Sequence, residues 1–176
     1  MHRRLILEIV QPLQILQKSK IFSLSFVSFF RKKDFFSADE RQAIIDAIQS
    51  AEKQTSGEVR VYVESRCRFV DPLDRAGEIF FGLRMEETAE RNGVLVYVAI
   101  KDRQLAIFGD SGIHEKVGER FWQQEVSKMI HAFNRENYSD GIVKVVLDIG
   151  EALKKHFPYQ GEKDKNELPD DIVFGR

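Results

Sequence analysis

The chain of 176 residues has the length of one ordinary domain, and 43% hydrophobic with 31% charged residues places it in the globular class, not the disordered one. A formal net charge of −1 leaves no global field to gather nucleic acid. The one cysteine, Cys67, cannot form an internal disulfide, so the fold must stand without staples, and a reducing compartment such as the cytoplasm suits it.

The charge is uneven. Residues 1–33 hold seven of the 27 basic side chains (Arg3, Arg4, Lys18, Lys20, Arg31, Lys32 and Lys33) and one of the 28 acids, Glu8, leaving an acidic body of 20 basic and 27 acidic residues. This basic leader, residues 1–34, fits no signal peptide: Leu5-Ile6-Leu7 is cut by Glu8 and then by Gln11-Pro12. Ile21 to Phe30 is ten residues with three serines, far short of the roughly 18–20 apolar residues of a membrane helix. Two expectations remain for it. It lies on an anionic membrane surface as a peripheral contact, or the working protein begins near Val27 and residues 1–26 are not translated.

Residues 35–158 read as one α/β domain. Ser37-Ala38-Asp39-Glu40 is a capping box, and Ile44, Ile45, Ile48 and Ala51 follow at helical spacing, predicting a helix over 38–54 closed by Gly57 as a left-handed cap. Val59, Val61 and Val63 alternate with Arg60, Tyr62 and Glu64, the pattern of a strand with one buried face. Asp71-Pro72 opens a second helix, with Leu73, Ala76, Phe80 and Leu83 as its stripe, running to about Glu90. Val94 to Ile100 is apolar without alternation, which predicts a central strand covered on both faces. Leu105 to Phe108 is the second arm of a hairpin, and Gly109-Asp110-Ser111-Gly112 is a loop calling for unusual backbone angles. A long helix carries Trp122, Val126, Met129, Ile130 and Phe133. A last one, after a break over Asn134 to Gly141, carries Ile142, Val145, Val146, Ile149 and Leu153 and stops at Phe157-Pro158. Residues 159–176 form a charged tail, expected to be partly loose. The predicted fold is a three-layer α/β/α sandwich with a short mixed central sheet.

The familiar phosphate loops, the Gly-x-Ser-x-Gly elbow, the His-Glu-x-x-His helix and paired-cysteine zinc patterns are all missing from the sequence. What remains is geometric. Two parallel strands joined by a helix, and a third arriving by a hairpin, bring Glu58, the Arg91-Asn92-Gly93 turn and the Gly109–Gly112 loop to one sheet edge, with His114 and Glu115 beyond. Carboxylates, an amide and open carbonyls are ligands for hard cations, so Asp110 and Glu58 are candidate ligands for calcium or magnesium. Arg91, with Asn92, His114 and the start of the long helix, is a candidate anion or loop-edge group. Each has a plainer reading: Glu58 as a solvated strand end, Asp110 as a cap, Arg91 as its ion-pair partner, His114 as a surface residue and Trp122 as core. No organic cofactor is expected.

Thr55-Ser56-Gly57-Glu58-Val59-Arg60-Val61, Arg91-Asn92-Gly93-Val94-Leu95-Val96-Tyr97, Ile107-Phe108-Gly109-Asp110-Ser111-Gly112-Ile113 and Tyr138-Ser139-Asp140-Gly141 together resemble the TPM domain family, in its stand-alone bacterial branch. The resemblance implies an α/β/α sandwich and several activities: acid phosphatase, calcium binding, and assembly, repair or receptor-associated roles. Two positions depart from the family pattern. Arg91 stands where an acid often precedes Asn-Gly, and the loop after Gly109 is one residue longer, with His114 where Glu would fall. Two functions follow as expectations. The first is a module that binds an unidentified protein partner, assembly or repair factors included, with a metal-responsive loop edge. The alternative is a metal-assisted phosphoester hydrolase with Asp110 or Glu58 holding the ion and Arg91 the phosphate.

Overall fold

The computed structural model describes residues 35–159, 161 and 171–175. The leader and any start near Val27 lie outside these residues. Among the described residues no helix is long and apolar enough to cross a membrane.

The chain runs α1 (Ala38–Glu52), β1 (Val59–Glu64), α2 (Pro72–Gly82), a 3₁₀ turn (Met85–Glu87), β2 (Val94–Ala99), β3 (Gln104–Gly109), α3 (Ser111–Val117), α4 (Glu119–Phe133), α5 (Tyr138–His156) and β4 (Ile172–Phe174). The sheet order is β3-β2-β1-β4. β1 is parallel to both β2 and β4, while β2 and β3 form an antiparallel hairpin. The sheet is therefore mixed, as expected.

Alternation along β1 and β2 sorts the two cores. Val59, Val61, Val63, Val94, Val96 and Val98 point to one side, where Ile44, Ile48, Trp122, Met129, Ile142, Ile149 and Leu153 of α1, α4 and α5 bury them. Leu95, Tyr97 and Ala99 point to the other side and pack with Ala76, Ile79, Phe80 and Met85. Helices thus cover both faces, which is why β2 carries no polar alternation.

Several boundaries move. The capping box forms, Ser37 taking the Glu40 N–H and Glu40 the Ser37 N–H, but α1 ends at Glu52. Gly57 has no left-handed angle; its missing side chain makes room for Leu153, whose Cδ2 lies 2.6 Å from where a Cβ would stand. α2 stops at Gly82, because Arg84 turns left-handed (φ 57) and redirects the chain to bury Met85 in the 3₁₀ turn. The long helix is preceded by α3, and Gly118 (φ 71) makes the break between them. α5 begins at Tyr138, so Gly141 lies inside it, against Ala132. The charged tail is not wholly loose: residues 172–174 return as β4 on the free edge of β1.

Candidate functional site

Val59, Val94 and Gly109 stand abreast in the sheet. Their neighbours Glu58, Gly93 and Asp110 therefore share one edge, joined by Val94 N–H to the Glu58 carbonyl (2.8 Å) and Asp110 N–H to the Gly93 carbonyl (2.9 Å). Two strand spacings separate the Glu58 and Asp110 backbones by about 10 Å.

Arg91 and Asp110 close this edge. Arg91 Nε donates to Asp110 Oδ2 at 2.8 Å and Nη2 donates to Oδ1 at 2.9 Å, a bidentate pair. The Asp110 side chain is only 5% exposed, the Arg91 side chain 50%. Asp110 is also the N-cap of α3, accepting the Ser111 N–H at 2.6 Å. The bond to Asp110 pushes the Arg91 guanidinium up from its ordinary value. Arg91 itself is left-handed (φ 55), which turns its carbonyl to accept the N–H groups of Gly112 (2.9 Å) and Ile113 (3.3 Å). The first N–H groups of α3 are thus taken by Asp110 and Arg91. Gly112 is required for space and not for backbone angle: a Cβ there would run into the carbonyls of Glu90 and Arg91. Gly109 plays the same part under Trp122, whose ring comes within 2.5 Å of its Cβ position.

Asn92 is 1% exposed. Its N–H donates to Thr88 Oγ1 (3.2 Å), and its Nδ2 donates to Ser56 Oγ (3.3 Å), which in turn donates to Glu90 Oε2 (2.6 Å). Among the described residues its Oδ1 has no hydrogen-bond partner. Glu58 is buried, contrary to its plainer reading as a solvated strand end. His114 sits in α3, and its Nδ1 accepts the Trp122 Nε1–H at 3.2 Å, which leaves the proton on Nε2. Trp122 is core, as its plainer reading had it.

The donor set does not fit a calcium or magnesium ion as it stands. Both Asp110 oxygens are engaged by Arg91, which brings a fixed positive charge to the edge. No group of three His, Cys, Asp or Glu side chains gathers at one point among the described residues.

Two polar networks lie outside the residues picked from sequence. At the opposite sheet end, buried Glu64 accepts from Arg75 Nε (3.1 Å) and Nη2 (3.2 Å) and from the Tyr97 hydroxyl (2.5 Å). Burial pushes the Tyr97 hydroxyl far up, and the Cys67 thiol up as well. Tyr97, the one hydroxyl within the apolar run 94–100, was the available signal. Between α4 and α5, Lys128 Nζ donates to Glu125 Oε1 (2.7 Å) and Asp148 Oδ2 (2.8 Å), while no donor among the described residues reaches the buried Glu125 Oε2.

The fold and edge define a three-layer α/β domain whose loop edge is closed by its own arginine. The TPM domain family model matches residues 30–152, and the chain belongs to that family. It is similar to the BA42 protein of the psychrophilic bacterium Bizionia argentinensis, known from an NMR structure, at 40% sequence identity and a TM-score of 0.75, covering 82% of this chain and 99% of that one. The N-terminal domain of a P. gingivalis protein (14% identity, TM-score 0.56, 73% of this chain and 85% of that one) shares the fold. So does the N-terminal domain of the cg2496 protein of Corynebacterium glutamicum (14% identity, TM-score 0.50, 87% and 94%). No curated protein sequence matches.

Proposed function

We propose that this TPM domain is a non-catalytic module that binds a protein partner, as an assembly or repair factor does, and that its loop edge is held by Arg91 in place of a metal ion. The observation that carries this reading is the bidentate Arg91–Asp110 pair, since it occupies the carboxylate that a metal-assisted hydrolase would need. Catalysis also calls for a positioned nucleophile and base. At this edge the Nδ1 of His114 is taken up by Trp122. The lone buried thiol of Cys67 supports a reducing compartment such as the cytoplasm. The basic leader supplies any peripheral membrane contact.

A generic phosphate ester, assayed with and without magnesium and calcium, tests the reading. The expected result is no turnover above the buffer rate. Turnover that needs the metal and disappears in Asp110→Ala would establish the hydrolase instead.

A further inference from the structure

β1 and β2 end abreast at Glu64 and Ala99, and their ladder runs one step beyond them. Ile100 donates its N–H to the Glu64 carbonyl (3.1 Å), and Lys101 donates to the Ser65 carbonyl (2.9 Å). This is the sheet end opposite the Arg91–Asp110 edge. Two loops leave it, residues 65–70 and residues 100–103. Asp102 ties them together, accepting from Arg66 Nη1 (3.2 Å) and from the Cys67 N–H (2.9 Å). The two loops therefore present one surface.

The first loop is pinned on both sides of Arg68-Phe69-Val70. Cys67 is buried, and its thiol donates to the Val70 carbonyl at 3.5 Å. Asp71 caps α2, accepting the Leu73 N–H at 2.8 Å. Between these anchors Phe69 is left-handed (φ 65), an unfavourable conformation for a bulky side chain. Its side chain is fully exposed, at 102%, and Val70 beside it is 41% exposed. A ring so exposed adds nothing to the core, so packing does not account for its position. The loop spends backbone strain to hold an apolar ring in water.

The charge around the ring indicates what it meets. The two loops hold four exposed basic residues, Arg66, Arg68, Lys101 and Arg103, and one acid, Asp102, which Arg66 already binds. Asp74, in the first turn of α2, is the nearest exposed acid in sequence. Residues 34–176 carry 27 acids against 20 basic residues, so a basic excess at this end runs against the charge of the body. Cations on long stems around one apolar ring match a layer with anionic headgroups above an apolar interior. The basic groups stay among the headgroups while the ring passes below them. A protein pocket would instead take the ring within a wider apolar patch, and the next exposed ring, Phe81, is at the far end of α2. We propose that the Arg68-Phe69-Val70 loop tip, with Arg66, Lys101 and Arg103, docks the folded domain on an anionic lipid surface, Phe69 entering the boundary between headgroups and acyl chains. This contact is shallow and reversible, and it is separate from any that the basic leader makes.

The test is sedimentation of the full chain with phosphatidylcholine vesicles, with and without phosphatidylglycerol, the leader being present throughout. The chain should sediment with the anionic vesicles and not with the neutral ones. Phe69→Ser should weaken that partition about tenfold, and Arg68→Ser about fivefold. Phe69→Trp should keep the binding. Its emission should shift to the blue and be quenched by lipid brominated high on the acyl chains, over a constant background from buried Trp122. Because Phe69 is exposed, Phe69→Ser should unfold at the same temperature as the unmodified chain. A lower temperature makes the ring structural and overturns the proposal. Failure to sediment with anionic vesicles also overturns it and leaves the loop tip to a protein partner. Equal sedimentation of the unmodified chain and Phe69→Ser overturns it too, and assigns the contact to the leader. None of these outcomes touches the non-catalytic reading, which stands or falls on ester turnover and Asp110→Ala.

Discussion

Arg91 holds a backbone conformation that costs a non-glycine residue about 1 kcal/mol, and it does so with bonds at both ends. Its carbonyl takes two N–H groups of α3, and its guanidinium takes both oxygens of the residue that caps α3. A double-mutant cycle with Arg91→Ala and Asp110→Ala should show a coupling of about 1–2 kcal/mol in urea unfolding, modest because half of Arg91 is in water. Asp110→Ala alone should cost about 2 kcal/mol, since the cap is lost with the pair. Glu125 presents the opposite situation. Burial pushes its carboxyl up, against the Lys128 hydrogen bond that lowers it. The folded state then holds this proton more tightly than the unfolded one, so the contribution of Glu125 to stability falls as pH rises from the ordinary carboxylate range through the raised value. Glu125→Gln should flatten that slope. Unfolding curves at several pH values on both sides of the ordinary carboxylate range should show the variant gaining on the parent as pH rises.

At the scale of elements, α1 and α5 meet through a close approach of Gly150 to Ala51, whose Cβ lies 2.5 Å from where a Gly150 Cβ would stand. Gly150→Ala should therefore destabilise the domain by about 1–3 kcal/mol, although alanine is the better helix former, and thermal unfolding would measure it. The helices were readable because their apolar stripes recur every three to four residues. β1 and β2 were readable from alternation and from an unbroken apolar run. β4 was not: three residues behind an acidic stretch carry no period, and their place depends on a bare edge over a hundred residues earlier in the chain. The sequence of the 109–112 loop predicts glycines needed for backbone angle. They are requirements of space, set by Trp122 and by the carbonyls of residues 90 and 91, which no local pattern reveals.

For the whole molecule, chain order alone was enough to bring Glu58, Arg91 and Asp110 to one edge, because parallel strands joined by a helix start together. Pairing of Arg91 with Asp110 was one of the options visible there. The burial of Glu58 and the Glu64–Arg75–Tyr97 network were not visible. The network joins Glu64 to partners 11 and 33 residues away in the chain, Arg75 on α2 and Tyr97 on β2. We propose that Arg91, paired with Asp110, closes this edge to a cation. Calcium titration followed by amide NMR tests it most directly, in the unmodified chain and in Arg91→Asp, up to about 10 mM, beyond the range of weak calcium modules. No saturable shifts are expected at Asp110, Ser111 or Asn92 in the unmodified chain, and shifts at those residues are expected once Arg91 is replaced. Saturable shifts at Asp110 in the unmodified chain would contradict it.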